Sequence, residues 1–300
     1  MITPIPQGST IGIITPSSSL QSPEQIRNGL AWLAEKGFKI CLGDFVYENQ
    51  NNFSGSPKER ADDIMRFYKN PKINAIIATR GGYGSQSLLP YLDYDVIKQN
   101  PKPIIGFSDI TALQNAVYAK SGVISWAGIM LKYDFAEGKI HPQTERSFEN
   151  AINGIFSPIR AGNIANRGIA EGIIIGGNLC TFMSLAGTEY FPSLDGKVLF
   201  IEDVDEKTYN IERMLIQLEQ QKDFSRLAAI VFGTFTDCPL NHPQDKDIES
   251  ILQQFADAHK QIPMIKHFPH GHIKARFCLP IGIKAKLSAI GDIPVLESAD

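Results

Sequence analysis

No apolar stretch in this 300-residue chain approaches the about 18 residues that a bilayer crossing needs. The opening MITPIPQGSTIGIITPSSS has no basic stretch leading into an apolar run, so no secretory signal is predicted and a cytoplasmic protein is expected. Cysteine is scarce. Cys41, Cys180, Cys238 and Cys278 lie far apart, form no C-x-x-C pair and join no histidine at zinc-ligand spacing, so a disulfide scaffold and a zinc site are not expected and buried thiols are. Charge of one sign is also missing: 29 basic against 32 acidic residues leave a net charge of −3, which offers no footprint for nucleic acid or an anionic membrane. Neither G-x-G-x-x-G nor a Walker A lysine is present, which argues against a nucleotide cofactor. There are no repeats, heptads or low-complexity tracts. What is present, 43% hydrophobic and 20% charged residues, describes a soluble globular chain of about two domains with a small-molecule or peptide partner.

The first half alternates short β-branched runs with capped helices. A strand over Thr10–Thr15 leads through a polar turn, Pro16–Ser19, to a helix for which Ser22 is the expected cap, Pro23 the first helical residue, Gln25 the capping-box partner and Gly37 the stop. Ser56, Pro57 and Glu59 repeat that pattern and open a helix to about Lys69. Phe38–Leu42, Ile73–Thr79, Pro103–Phe107 and Val123–Trp126 read as strands of a parallel sheet, so residues 1–153 are expected to form a Rossmann-like doubly wound α/β domain. The Gly-, Asn- and Pro-rich stretch 154–167 reads as a linker. Residues 168–300 are expected to form a smaller C-terminal α/β domain with strands at Gly172–Ile175, Lys197–Glu202 and Ala228–Phe232 and helices near Leu179–Ala186, Thr208–Gln221 and Asp247–Lys260. Ile211, Met214, Leu215 and Leu218 recur at helical spacing and face a core.

Three segments could carry chemistry. Ile104-Ile105-Gly106-Phe107-Ser108-Asp109-Ile110 runs from an apolar strand through a tight turn into a helix, the geometry of a nucleophile elbow, which projects the serine oxygen where a helix N-terminus aims free N–H groups; from this segment alone, Ser108 or Asp109 serving only as the helix cap is the more ordinary reading. Thr79-Arg80-Gly81-Gly82-Tyr83-Gly84 follows another strand, and its glycines let backbone N–H groups approach a ligand as half of an oxyanion hole. Arg80 could grip a substrate carboxylate with its planar fork or pair with an acidic neighbour. A serine needs a base and the base an orienting acid. His141, His242, His259, His267 and His270 read as solvated or capping side chains, and His272 follows Gly271 in a loop, although spacing does not separate it from His270. The acids cluster in Glu202-Asp203-Val204-Asp205-Glu206, which a surface turn would also explain.

Taken in order, Ile11-Gly12-Ile13-Ile14-Thr15-Pro16-Ser17, Arg80-Gly81-Gly82-Tyr83-Gly84, Gly106-Phe107-Ser108-Asp109, Gly176-Gly177-Asn178-Leu179, Ile201-Glu202-Asp203, Gly271-His272 and Leu279-Pro280-x-Gly282 resemble the LD-carboxypeptidase family of serine peptidases, which includes the microcin C self-immunity peptidases. The resemblance spans nearly the whole chain. It implies Ser108 as nucleophile, His272 as general base and acid, Glu202 as its orienting carboxylate, an oxyanion hole from the Gly82 and Asp109 N–H groups, and an active site between the two domains. It further implies a muropeptide substrate cut before a terminal D-amino acid, with hydrolysis of a microcin-type acyl-sulfamoyl adenylate as the alternative; no metal or cofactor; and a homodimer. A non-enzymatic two-lobed binding module is the rival from another class. Where family members often carry His-Gly-Pro, this chain has Trp126-Ala127-Gly128, which, with Arg80, is expected to contact substrate.

Overall fold

The structure, a computed structural model, describes residues 3–299. The chain divides into two units, the first running to Ile155 and taking up Phe277–Ile281, the second comprising Phe156–Arg276 and the residues from Gly282 onward.

The first unit opens with β1 (Thr10–Ile14), α1 (Glu24–Glu35), β2 (Lys39–Leu42), α2 (Pro57–Lys69) and β3 (Ile73–Ala78), and continues with α3 (Tyr94–Gln99), β4 (Ile104–Gly106), α4 (Ile110–Ser121), β5 (Ser125–Ala127) and α5 (Pro142–Ile152). Its strands order as β2-β1-β3-β4-β5 in parallel, the doubly wound arrangement whose strand order reverses at β1 and β3 and whose crevice lies beyond the carboxyl ends of the strands. Buried isoleucines on β1, β3 and β4 fill both faces, as a parallel sheet covered by helices requires. α2 starts as expected: Ser56 Oγ accepts the Glu59 N–H at 3.3 Å and Glu59 Oε2 accepts the Ser56 N–H at 2.8 Å. α1 does not. Its cap position is Pro23, without a side-chain bond: the Ser22 side chain is hydrogen-bonded to Glu24, and the Gln25 carboxamide accepts the Gln21 N–H at 2.9 Å.

The second unit contains β6 (Ile159–Arg160), β7 (Asn163–Asn166), β8 (Gly168–Asn178), α6 (Leu179–Met183), β9 (Lys197–Val204), α7 (Thr208–Glu219), β10 (Ala229–Thr236), α8 (Ile248–Ala258) and β11 (Met264–Lys266). Then comes β12 (Leu279–Ile281), and β13 (Lys284–Ala289) and β14 (Val295–Ser298) complete the sheet. β8, β9, β10 and β11 are parallel, with β13, β14 and β6 added antiparallel on one side and β7 on the other. Two departures from the expected boundaries follow from these pairings. Residues 154–167 are not a bare crossing but supply the edge strands β6 and β7, and β12, expected in the C-terminal domain, belongs to the first unit, where it pairs antiparallel with β5, Leu279 opposite Ala127 and Ile281 opposite Ser125. Of the cysteines, Cys278 is buried as expected, whereas Cys41 and Cys238 are half-buried and Cys180 is exposed. No helix among the described residues is long and apolar enough to cross a membrane.

Candidate active site

The loops after β1, β3 and β4 meet at the carboxyl edge of the first sheet. Between β4 and α4 the chain turns in so few residues that Ser108 is forced to φ 64°, a left-handed conformation that costs a side-chain-bearing residue about 1–2 kcal/mol and persists only where its surroundings hold it. Here the holder is Asp109. Its buried carboxylate accepts the Ser17 hydroxyl from the loop after β1 at 2.5 Å and the Ser85 N–H from the loop after β3 at 2.9 Å, while its own carbonyl accepts the Ser85 hydroxyl at 2.5 Å. A buried guanidinium stands behind the same loops, Arg60 donating to the carbonyls of Pro16 at 2.6 Å and Gly84 at 3.3 Å. Burial lowers the Arg60 pKa, and the charge of Asp109 opposes that shift.

Gly81 faces the elbow. A methyl group built on it would lie 3.0 Å from both Ser108 Cβ and Ser108 Oγ and 3.5 Å from the Asp109 backbone nitrogen. The space that the missing side chain leaves is therefore within reach of a hydroxyl nucleophile and a backbone donor at once, the position a reacting carbonyl needs. Among the described residues neither the Asp109 N–H nor the Gly82 N–H has a hydrogen-bond acceptor. Gly82 itself takes φ 118°, with Ser18 packed so close that no side chain fits. Gly106, the last residue of β4, serves by close approach: a Cβ there would press on Ile110 and Ala78 at 3.0–3.2 Å. Arg80 is pinned by two backbone carbonyls, its Nε donating to Gly81 and one terminal nitrogen to Ser19, each at 3.0 Å.

The second unit brings Glu202 and His272 together. Glu202 sits near the end of β9, its side chain 1% exposed, and His272 Nδ1 lies 2.8 Å from its Oε2. An ionised carboxylate only accepts, so this contact favours a proton on Nδ1; the ring is 20% exposed. Gly271 makes this possible: at φ 141° it lets the loop lie against β9 and β10, where a Cβ would meet the Thr234 carbonyl at 2.8 Å and Glu202 Oε2 at 3.1 Å.

The neighbours that spacing left open now have other partners. His270 is neither solvated nor a cap; it is buried edge-to-face on Phe200, ring centroids 4.9 Å apart. His267 pairs with Glu249 at 3.0 Å, His259 with Glu219 at 2.8 Å, and His141 caps α5. Asp203 turns away from Glu202 to accept the Asn178 amide at 2.8 Å and the Cys180 N–H at 2.9 Å, and burial pushes its carboxyl up to about 6. Asp205 is exposed and Glu206 accepts the Asn210 amide. Trp126, expected to contact substrate, is 1% exposed in β5 and packs in the sheet, so that expectation is corrected.

Two family models match this chain, the LD-carboxypeptidase N-terminal domain over residues 11–128 and the LD-carboxypeptidase C-terminal domain over residues 171–287. The chain belongs to the LD-carboxypeptidase family. It is 29% identical to the "Probable murein peptide carboxypeptidase" of Bacillus subtilis over 97% of this chain and 92% of that one. It is 33% identical to the microcin C7 self-immunity protein of Escherichia coli over 95% of this chain and 92% of that one. The crystal structure of muramoyltetrapeptide carboxypeptidase from Oxalobacter formigenes superimposes with a TM-score of 0.89 at 28% identity, covering 97% of this chain and 99% of that one.

Within this LD-carboxypeptidase the clamp on the elbow went unread in the sequence. Ser17 and Ser85 look like ordinary turn serines, and only their shared hydrogen bonds to Asp109, 92 and 24 residues away, give them a role. Asn178 and Asp203 were visible as parts of motifs, without a partner assigned to either.

Proposed function

We propose that this chain is a serine LD-carboxypeptidase that removes a terminal D-amino acid, such as D-alanine, from the L-centre of a diamino acid in a muropeptide. One observation carries the reading: the space in front of Gly81, 3.0 Å from Ser108 Oγ and 3.5 Å from the Asp109 nitrogen, seats a carbonyl between a nucleophile and an oxyanion donor. Ser108 Oγ attacks that carbonyl as His272 Nε2 takes its proton, and the Asp109 and Gly82 N–H groups receive the oxyanion. Glu202 holds the Nδ1 proton, fixing the tautomer that can act as base and stabilising the imidazolium that forms. His272 then protonates the leaving amine of the D-amino acid, and water resolves the acyl-serine by the same steps reversed. No step asks for a Lewis acid. A place in peptidoglycan recycling and a homodimeric state complete the proposal and rest on the family resemblance; a cytoplasmic location is kept from the sequence reading.

The microcin-type alternative needs an aromatic face for a base to stack on. Trp126 is buried, and Tyr133 carries two cations against its ring, so the observations favour the peptide substrate. The test is release of D-alanine from a peptide ending in L-lysyl-D-alanine. Wild type is expected to release it and Ser108→Ala to lose at least about 10⁴ of the rate while keeping its melting temperature. A Ser108→Ala protein within about tenfold of wild type would overturn the assignment.

A further inference from the structure

The loops after β3 and β5 place two cations on one aromatic ring. Arg80 lies 5.8 Å and the Lys132 ammonium 5.1 Å from the centroid of Tyr133, which is 50% exposed. The arrangement is fixed by backbone: the Lys132 N–H donates to the Thr79 carbonyl at 2.9 Å, joining the loop after β5 to the residue before Arg80, and Arg80 is held by the carbonyls of Gly81 and Ser19. Those two bonds use its Nε and one terminal nitrogen; the other terminal nitrogen lies beside Gly82, 3.5 Å from where a Cβ would stand. Among the described residues no aspartate or glutamate forms an ion pair with either cation. Like charges held this close without a counterion repel one another, and the ring face offsets only part of that cost. Burial, and then the charge of Arg80, hold the Lys132 ammonium below the ordinary lysine range. Such a pair is relieved by an anion that arrives from outside.

The geometry points to Arg80, Lys132 and Tyr133 as the subsite for the terminal carboxylate of the substrate, the feature that makes this enzyme a carboxypeptidase. This rests on the proposed peptide hydrolysis at Ser108. In a substrate ending in a D-amino acid, that carboxylate is three bonds from the scissile carbonyl carbon. Arg80 is the residue next to Gly81, whose missing side chain seats that carbonyl, and its second terminal nitrogen stands beside Gly82, so the guanidinium borders the same glycine loop that seats the carbonyl. Arg80 supplies a planar donor edge and Lys132 a point charge, while Tyr133 keeps both from swinging into solvent. Sequence reading offered Arg80 as a carboxylate ligand or an ion-pair partner and did not reach Lys132, because the chain between them closes up only when β4 and β5 join the sheet.

Wild type, Lys132→Gln and Lys132→Arg are compared on a peptide ending in L-lysyl-D-alanine and on its C-terminal amide. Wild type is expected to prefer the acid, and Lys132→Gln to lower the ratio of kcat/KM for acid over amide by about tenfold to a hundredfold, the worth of one hydrogen bond to a charged group, chiefly through KM. Lys132→Arg, which keeps the charge, is expected to restore most of that ratio. An equal loss on both substrates would make Lys132 structural and overturn the subsite, as would a wild type with no preference for the acid; in the latter case the serine mechanism still stands. If wild type cleaves neither peptide, the functional reading itself fails. The subsite is then decided by calorimetry with N-acetyl-D-alanine and its amide, where equal binding of the two by wild type overturns it and selective binding lost in Lys132→Gln upholds it.

Discussion

Gly81→Ala places one methyl group at the centre of the proposed chemistry. The new Cβ would lie 3.0 Å from Ser108 Cβ and Oγ, against an ordinary contact of 3.4–4 Å, and 3.5 Å from the Asp109 nitrogen. Gly81 is not among the positive-φ residues, so alanine meets no backbone penalty there. The elbow has little room to retreat, since Asp109 is tied to Ser17 and Ser85, and the easy relief is rotation of Ser108 Oγ away from the methyl. That rotation withdraws the nucleophile, and the methyl fills the carbonyl seat even when the hydroxyl stays. A misplaced reacting group costs about 10² and a lost oxyanion contact another 10² to 10³, so kcat/KM is expected to fall by at least about 10³, which is about 4 kcal/mol of transition-state stabilisation. Overpacking one methyl against a movable hydroxyl should lower folding stability by no more than about 1–3 kcal/mol. Steady-state release of D-alanine, read beside urea denaturation, separates the two effects. A folded Gly81→Ala protein within about tenfold of wild type would refute the idea that this space seats the scissile carbonyl.

Glu202→Gln keeps the shape beside His272 and loses the charge that holds the Nδ1 proton, so kcat should fall about 10² to 10⁴. His270→Ala should instead cost stability, through lost packing on Phe200, and leave the chemistry of the folded enzyme within about tenfold of wild type. Asp203 titrates near 6 in the folded protein against an ordinary 3.8, a raised value, so its contribution to stability is greatest below the ordinary value and is lost as pH rises towards about 6. The full loss is worth about 3 kcal/mol, of which about 2 kcal/mol falls between pH 4 and pH 7, where urea denaturation should show it in wild type and not in Asp203→Asn; parallel curves for the two would contradict the burial argument.

What the sequence disclosed was local. The Ser56–Glu59 box, the parallel strands of the first unit and the strand-to-helix turn at Ser108 each depend on residues a few positions apart, and each formed. The Ser22 cap failed because the Ser22 side chain has a competing partner in Glu24 and the Gln25 carboxamide one in the Gln21 N–H, a contest that spacing does not decide. The strands β6, β7 and β12 are two to four residues long, too short to show alternation, and exist only through partners far along the chain. His270 and His272 differ by one residue in a loop, and what separates them is burial against Phe200 in one case and the Glu202 carboxylate in the other. Trp126 carried no signal that a large aromatic in a three-residue strand would be core rather than cleft.

The central claim is that Ser108 is the nucleophile and that Glu202 and His272 activate it. Its most direct test is reaction of the folded protein with a fluorophosphonate probe, followed by mass mapping of the adduct. The account predicts a single adduct on Ser108, absent in Ser108→Ala and slowed by at least about 10² in His272→Ala, because the probe reports an activated serine rather than an exposed one. A probe that reacts at another residue, or that labels Ser108 at the same rate without His272, would contradict it.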